Sequence, residues 1–157
     1  MSKKSLLIFL LFSLPITFQL FAQTADEQFL SQIEKNLDLS ALKDNPVLDY
    51  AQSDSVINSI NQESDSLFKA RFYNLLGQLN FEKGDYAISL EYFLTAKDYV
   101  ITADSKKELG ALIFINIGNV YYRNEDYDAA KNEYKNGRTL ALETEQIGLA
   151  ATASNNI

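Results

Sequence analysis

Apolar residues recur along this chain at helical spacing, and the whole pattern recurs as a block. The stretch YNLLGQLNFEKGDYAISLEYFLTA (73–96) superimposes without a gap on FINIGNVYYRNEDYDAAKNEYKNG (114–137), at an offset of 41. Gly77 falls on Gly118, Phe81 on Tyr122, Asp85 on Asp126, Tyr86 on Tyr127 and Phe93 on Tyr134. Each copy predicts a helix, a short polar turn and a second helix. The second helices carry small or apolar residues at 86, 89, 93, 96 and 100, and again at 127, 130, 134, 137 and 141, a 3,4 alternation that draws one stripe. The first helices differ. From Leu109 to Tyr122 only Gly110, Asn116, Gly118 and Asn119 interrupt an apolar run, and a helix apolar nearly all round is buried on more than one side. Such a helix suits the interior of a stack, with its own partner on one side and neighbouring units on the others.

The turns support the same boundaries. Gly84 can take the left-handed conformation that closes a helix, and Asp85 can cap the next by accepting from its free N–H groups. Asp126 repeats the cap, with the left-handed role falling to Asn124 or Glu125. Helices of 16 to 18 residues would be roughly 25 Å long at 1.5 Å per residue. Within them a glycine costs about 1 kcal/mol relative to alanine, so Gly77 and Gly118 read as points where a second helix comes close. Small Ser89, Ala96, Ala130 and Gly137 would serve the same approach from the other side, with Phe93, Tyr121 and Tyr134 packed within the array.

A third copy begins near Gly148 in LAATASNNI and reaches Ile157 where its glycine would be due. The repeats are thus 63–103, 104–144 and a partial 145–157, and the polypeptide is expected to continue. An apolar face near Leu149 to Ile157 would lack neighbours, so self-association through the open C-terminal repeat, or fraying, is expected. Upstream the repeat decays. Thr24-x-x-Glu27 reads as a capping box opening a helix to about Leu37, a loop with Pro46 follows, and Val47 to Ile60 reads as a partner helix through Leu48, Ala51, Ser55 and Val56. Residues 23–62 are taken as a degenerate hairpin that caps the stack, with a flexible leader as the alternative.

The first residues set an expected compartment. Lys3 and Lys4 precede an apolar stretch from Leu6 to about Phe21, interrupted by Ser13, Pro15, Thr17 and Gln19, with Ala22 before the expected cut. That order describes a cleavable signal peptide, residues 1–22, and predicts an exported, periplasmic or extracytoplasmic protein. Removing Lys3 and Lys4 takes the formal net charge from −7 to −9. No basic stripe remains to neutralise phosphates, which argues against nucleic acid as partner. With Cys 0, an exported chain has no disulfide and no lipidated cysteine, and stability must come from packing.

These residues resemble the tetratricopeptide repeat, whose first helix carries an aromatic, then Leu-Gly, then Tyr, and whose second carries Ala and then an aromatic. Phe114-x-x-Ile117-Gly118-x-x-Tyr121 followed by Ala130-x-x-x-Tyr134 matches it well; in the copy from Tyr73, Leu76-Gly77 fit while Asn80 replaces the tyrosine and Ser89 the alanine. The offset of 41 exceeds the usual 34, which implies roughly one added turn per helix, as in longer-period members. The resemblance implies an all-α solenoid of antiparallel helix pairs wound as an open right-handed superhelix, binding proteins or peptides on a concave face lined by the first helices. Placed on that geometry, Arg71, Asn74, Gln78 and Phe81 in one copy, Asn119, Tyr122 and Arg123 in the next, and Asn155 in the third line the groove. Amides there suit a peptide backbone and arginines a carboxylate. The family's carboxylate clamp uses lysines as well as asparagines, and this chain supplies the asparagines alone.

No catalytic constellation emerges. With no histidine and no cysteine, imidazole proton transfer, thiol nucleophiles and the usual zinc sites are excluded within the chain, and no phosphate-binding loop is present. No cofactor, metal or enzyme activity is expected. A signal peptide before long-period repeats resembles the extracytoplasmic sensory half of bacterial sensor histidine kinases, and of related transcription regulators with a membrane span after the repeats; on that resemblance any kinase would lie beyond Ile157. A free periplasmic scaffold or assembly factor is the alternative.

Overall fold

The computed structural model describes residues 52, 54–62, 65–101 and 107–157. Among them lie six helices and no strand: α1 (Asp54–Gln62), α2 (Ser66–Lys83), α3 (Tyr86–Ile101), α4 (Lys107–Arg123), α5 (Tyr127–Glu143) and α6 (Ile147–Asn155). The expected signal peptide lies outside the described residues, as does the 23–62 hairpin apart from Gln52 and α1. Helices α2 and α3 pack along one another, as do α4 and α5; α3 then packs on α4 and α5 on α6. The described part is therefore an all-α, tetratricopeptide-like solenoid.

The turns are built from backbone hydrogen bonds. At the α2–α3 turn Gly84 has φ 90, its N–H donates to Phe81 C=O, and the Asp85 N–H donates to Asn80 C=O. The α4–α5 turn repeats this with Glu125 at φ 63, donating to Tyr122, and Asp126 donating to Tyr121. A third instance follows α5, with Glu145 at φ 59 donating to Leu142 and Gln146 donating to Ala141. This pair of bonds satisfies carbonyls that the helix end would leave without partners. On the entry side, the Asp65 carboxylate accepts from Leu67 N–H at 2.7 Å and Phe68 N–H at 3.3 Å, and Asp126 accepts from Ala129 N–H at 3.1 Å. The Asp85 carboxylate pairs with Lys83 at 3.3 Å, while its carbonyl accepts the first helical bond from Ser89.

Within each pair, an aromatic ring lies on the glycine. A Cβ on Gly77 would stand 2.5 Å from the Phe93 ring, and one on Gly118 would stand 2.5 Å from the Tyr134 ring. The space over each glycine is thus filled by an aromatic face rather than by a small side chain. The small residues act beside it: the buried Ser89 hydroxyl donates to Gly77 C=O at 2.8 Å, and Gly137 lets α5 approach the Ala111 carbonyl of α4. Phe93 and Tyr134 are almost wholly buried, and burial on this scale stabilises by about 2–3 kcal/mol per side chain. The stripe expected on α3 and α5 is buried from Ser89 to Val100 and from Ala130 to Ala141. Tyr127 departs from it. It is the first residue of α5, too near the turn to reach the core, and is 58% exposed with its ring edge-on to Tyr122.

Between pairs the contacts mix apolar packing with polar bridges. Ile115, Ala130, Tyr134 and Ala153 form one cluster with Tyr121 and Leu149 packed against it, and Ala111, Ala141 and Ala150 form another with Leu140 and Leu149. Leu149 thus turns inward from α6, while Ile147 and Ile157 remain exposed. Lys97 of α3 reaches Glu133 of α5 at 3.6 Å and lies 4.7 Å over the Phe114 ring of α4, crossing from one pair to the next. At the other end Tyr73 stacks on Tyr92 and Tyr99, donates its hydroxyl to Asn61 Oδ1 at 2.6 Å, and so ties α1 to the first pair.

Two expected outcomes follow from this packing. Gly118→Ala gains about 1 kcal/mol of helix propensity but drives a methyl into the Tyr134 ring, an overpacking cost of about 1–3 kcal/mol. Net destabilisation is expected in urea melts followed at 222 nm, more severe for Gly118→Leu, and relieved in a Tyr134→Ala background. An additive double-mutant cycle would remove the ring-on-glycine explanation. Separately, burial above all pushes the Tyr73, Tyr92 and Tyr134 phenols above their ordinary value of 10.0, helped by nearby Tyr99, Glu91 and Tyr122 respectively. The folded state therefore holds these protons more tightly than the unfolded state, so their stabilisation is full below about pH 10 and is lost as pH rises through the folded-state values. Urea midpoints should fall across that window together with the rise in phenolate absorbance at 295 nm, and a flat midpoint would contradict it.

Candidate functional site

The first helices of successive pairs touch directly, α2 with α4 and α4 with α6, and amide side chains bridge both meetings beside the apolar contacts of α4 with α6. Asn116 Nδ2 donates to Asn74 Oδ1 at 3.0 Å, joining α4 to α2. Asn119 Oδ1 accepts from the Tyr134 hydroxyl at 2.9 Å and from Asn156 Nδ2 at 3.4 Å, joining α4 to α5 and to the residue that follows α6. Leu112, Asn116, Asn119 and Arg123 follow one another at 4, 3 and 4 residues, one stripe along α4, and on α2 the offset of 41 carries this stripe onto Arg71, Leu75, Gln78 and Glu82. Arg71, Gln78, Leu112, Asn116 and Asn119 are half-buried, so this face is sheltered yet open to solvent. Amides held by neighbours at one atom keep further donors and acceptors for a chain laid along the face.

The eight residues expected in the groove divide into separate places. Arg71, Gln78 and Asn119 lie on the amide-bearing stripe. Asn74 is buried at 5% exposure, with its amide directed to Asn116, so it joins repeats rather than facing a ligand. Phe81, Tyr122 and Arg123 belong to the turn end. Phe81 packs on Tyr86 with centroids 5.4 Å apart, Tyr122 packs on Tyr127 at 5.4 Å, and the Arg123 guanidinium lies 5.9 Å over the Phe81 ring. Asn155 is exposed in the last turn of α6, and the contact to Asn119 comes from its neighbour Asn156. Asn116 is the groove residue that the sequence pattern hides, since it reads as a mere interruption in a core helix. The 4,3,4 spacing through Leu112, Asn119 and Arg123 is the signal that reveals it.

The chemistry of this surface is recognition by hydrogen bonds, charge and aromatic faces. Among the described residues no group of three or more acidic side chains is placed to hold a metal ion, and no helix is long and apolar enough to cross a membrane. Asn80 is buried where the second repeat has Tyr121; its Nδ2 donates to Leu76 C=O at 2.8 Å, and its Oδ1 has no protein partner.

Against known families, the model for the tetratricopeptide repeat matches residues 70–99 and 111–137, two stretches whose starts are separated by the same 41 residues as the internal repeat. Comparison with curated proteins and with solved structures returned no significant match. Tetratricopeptide domains are generally non-catalytic. The two matches support a tetratricopeptide repeat family for the chain, and repeats of this kind indicate a protein–protein interaction module.

Proposed function

We propose that the repeats bind an extended protein or peptide segment along the first-helix face, and that they do so outside the cytoplasmic membrane as the sensory part of a longer signalling protein. The observation that carries the binding reading is the row of amides across successive pairs, Asn74 to Asn116 and Asn119 to Asn156. A bound backbone that takes hydrogen bonds from Asn116 and Asn119 competes with the bonds that hold one pair against the next. Occupancy then changes how the pairs sit on each other, which supplies a mechanical output for sensing. The exported location rests on the basic, apolar and small-residue order of residues 1–22, and the signalling role rests on the resemblance of such a leader before long-period repeats to sensor histidine kinases. In that arrangement the membrane is met through the signal peptide or through a span beyond Ile157.

Peptide-display selection on the chain, followed by titration of the selected peptides, tests the binding surface. Gln78→Ala with Asn116→Ala should weaken the selected peptides by at least tenfold, on the scale of two lost hydrogen bonds near 1–1.5 kcal/mol each, with melting shifted little by Gln78→Ala alone. Peptides that bind the double variant undiminished would place recognition elsewhere. Export is checked by expressing the full reading frame and determining the mature N-terminus, expected at Gln23, and by locating a membrane span with a kinase or helix-turn-helix region downstream in the gene. A retained residue 1 would make the leader an N-terminal anchor, and a free repeat protein would move the reading to a periplasmic scaffold.

The third repeat adds a second-copy contact to this proposal. Ile147 is 68% exposed, with Leu142 and Ile157 also exposed large apolar residues. Concentration-dependent dimer in sedimentation velocity, abolished by Ile147→Asp, is the expected outcome; monomer at all concentrations would dismiss it.

A further inference from the structure

We infer that the joint between the α2–α3 pair and the α4–α5 pair is a hinge built into the array, set near balance by the buried amide of Asn80. Among the described residues the buried polar side chains are Asn74, Asn80 and Ser89, and all three belong to the first pair. The offset of 41 carries them onto Ile115, Tyr121 and Ala130. Those counterparts share one apolar cluster, in which Ile115 and Ala130 pack with Tyr134 and Ala153, and Tyr121 lies against them. The cluster gathers α4, α5 and the following helix α6, so it marks the place where a pair meets its successor. At the first joint the same place is built from two amides and a hydroxyl, with Phe93 and Leu112 as the counterparts of Tyr134 and Ala153.

The three polar groups are not equally provided for. Asn74 Oδ1 accepts from Asn116 Nδ2 of the next pair at 3.0 Å, and the Ser89 hydroxyl donates to Gly77 C=O at 2.8 Å. Asn80 is 1% exposed; its Nδ2 turns back to Leu76 C=O of its own helix at 2.8 Å, and its Oδ1 has no protein partner. A buried oxygen in that state raises the free energy of the closed joint, and tilting the pairs apart returns it to water. Beside the apolar packing of α3 on α4, the joint is spanned by contacts that break and re-form singly. These are the Asn74–Asn116 bond, the Lys97–Glu133 ion pair at 3.6 Å and the Arg123 guanidinium over the Phe81 ring. Within the pairs the Phe93 and Tyr134 rings stay on Gly77 and Gly118, so the joint opens while each pair remains intact. In coiled coils a buried asparagine gives up stability for a defined arrangement. Asn80 makes no bond across the joint, so what it gives up stability for is mobility. The hinge belongs to the free chain and is independent of any peptide on the first-helix face.

The test places spin labels on a chain that has no cysteine of its own. Glu91→Cys with Asn132→Cys, exposed and equivalent positions on α3 and α5, reports the distance from pair to pair; Glu82→Cys with Glu91→Cys, also exposed, reports the distance within the first pair. Double electron–electron resonance should give two components for the pair-to-pair distance, the second growing in urea below the unfolding transition, and one component within the pair. Asn80→Leu, close in volume and without the unpartnered oxygen, should lower the ratio of the second component to the first at least tenfold and raise the urea midpoint of the unlabelled chain. A single pair-to-pair distance in the chain that keeps Asn80, or a second component unchanged in Asn80→Leu, would overturn the proposal. So would a lowered midpoint in that variant, which would make the amide a fastening of the joint. A within-pair distance that splits in step with the pair-to-pair distance would replace the hinge by local unfolding.

Discussion

An aromatic ring pressed on a glycine sets the separation of the two helices in each pair, and the other contacts are arranged around that separation. At 2.5 Å from where a Cβ would stand, the Phe93 and Tyr134 rings leave no room for any side chain on Gly77 or Gly118. The helix gives up intrinsic stability there and recovers it as dispersion and burial over a whole ring face. Once the axes are close, secondary contacts become available: Ser89 reaches the Gly77 carbonyl, and Gly137 reaches the Ala111 carbonyl. The contact also orients Tyr134, so that its hydroxyl donates to Asn119 on α4. Core packing and the amide row of the first-helix face are therefore mechanically joined through one side chain.

Contacts between pairs have a different character from contacts within them. Inside a pair, ring and glycine interlock and permit one register. Between pairs, polar and charge-assisted contacts (the amides of Asn74 and Asn116, the Lys97–Glu133 bridge and the Arg123–Phe81 contact) stand beside the apolar clusters around Leu149, and none of them interlocks as ring and glycine do. A stack with stiff units and adjustable joints can change curvature without unfolding any unit. That division is what a recognition surface spanning several units requires.

The internal repeat made the fold legible, because the same spacing appears twice and helical periodicity fixes which positions face a partner helix. The turn narrows the left-handed residue to Asn124 or Glu125, of which the structure uses Glu125, and Gly77 and Gly118 follow from their cost in a helix. The surface was less legible. Asn74 looks like a groove amide on a helical wheel, but a wheel carries no neighbour, and it is α4 that covers it. Asn116 was hidden by the apolar run around it. Tyr127 fits the stripe by spacing yet sits in the first turn, where the chain has not reached the core. Phe81 and Tyr122 are aromatic at positions one step beyond the groove, so their pairing with Tyr86 and Tyr127 depends on the path of the turn rather than on helical period.

That path recurs three times with the same two backbone bonds, closed by Gly84, Glu125 and Glu145. Two of the three closures use a residue with a side chain, at a steric cost on the order of 1–2 kcal/mol that the bonds and the following helix absorb. The same corner geometry is therefore reached with glycine and with glutamate at the left-handed position. Each corner is a surface position whose chemistry can be rewritten, by selection or by an engineer grafting a new epitope, while the register of the helices on either side is preserved.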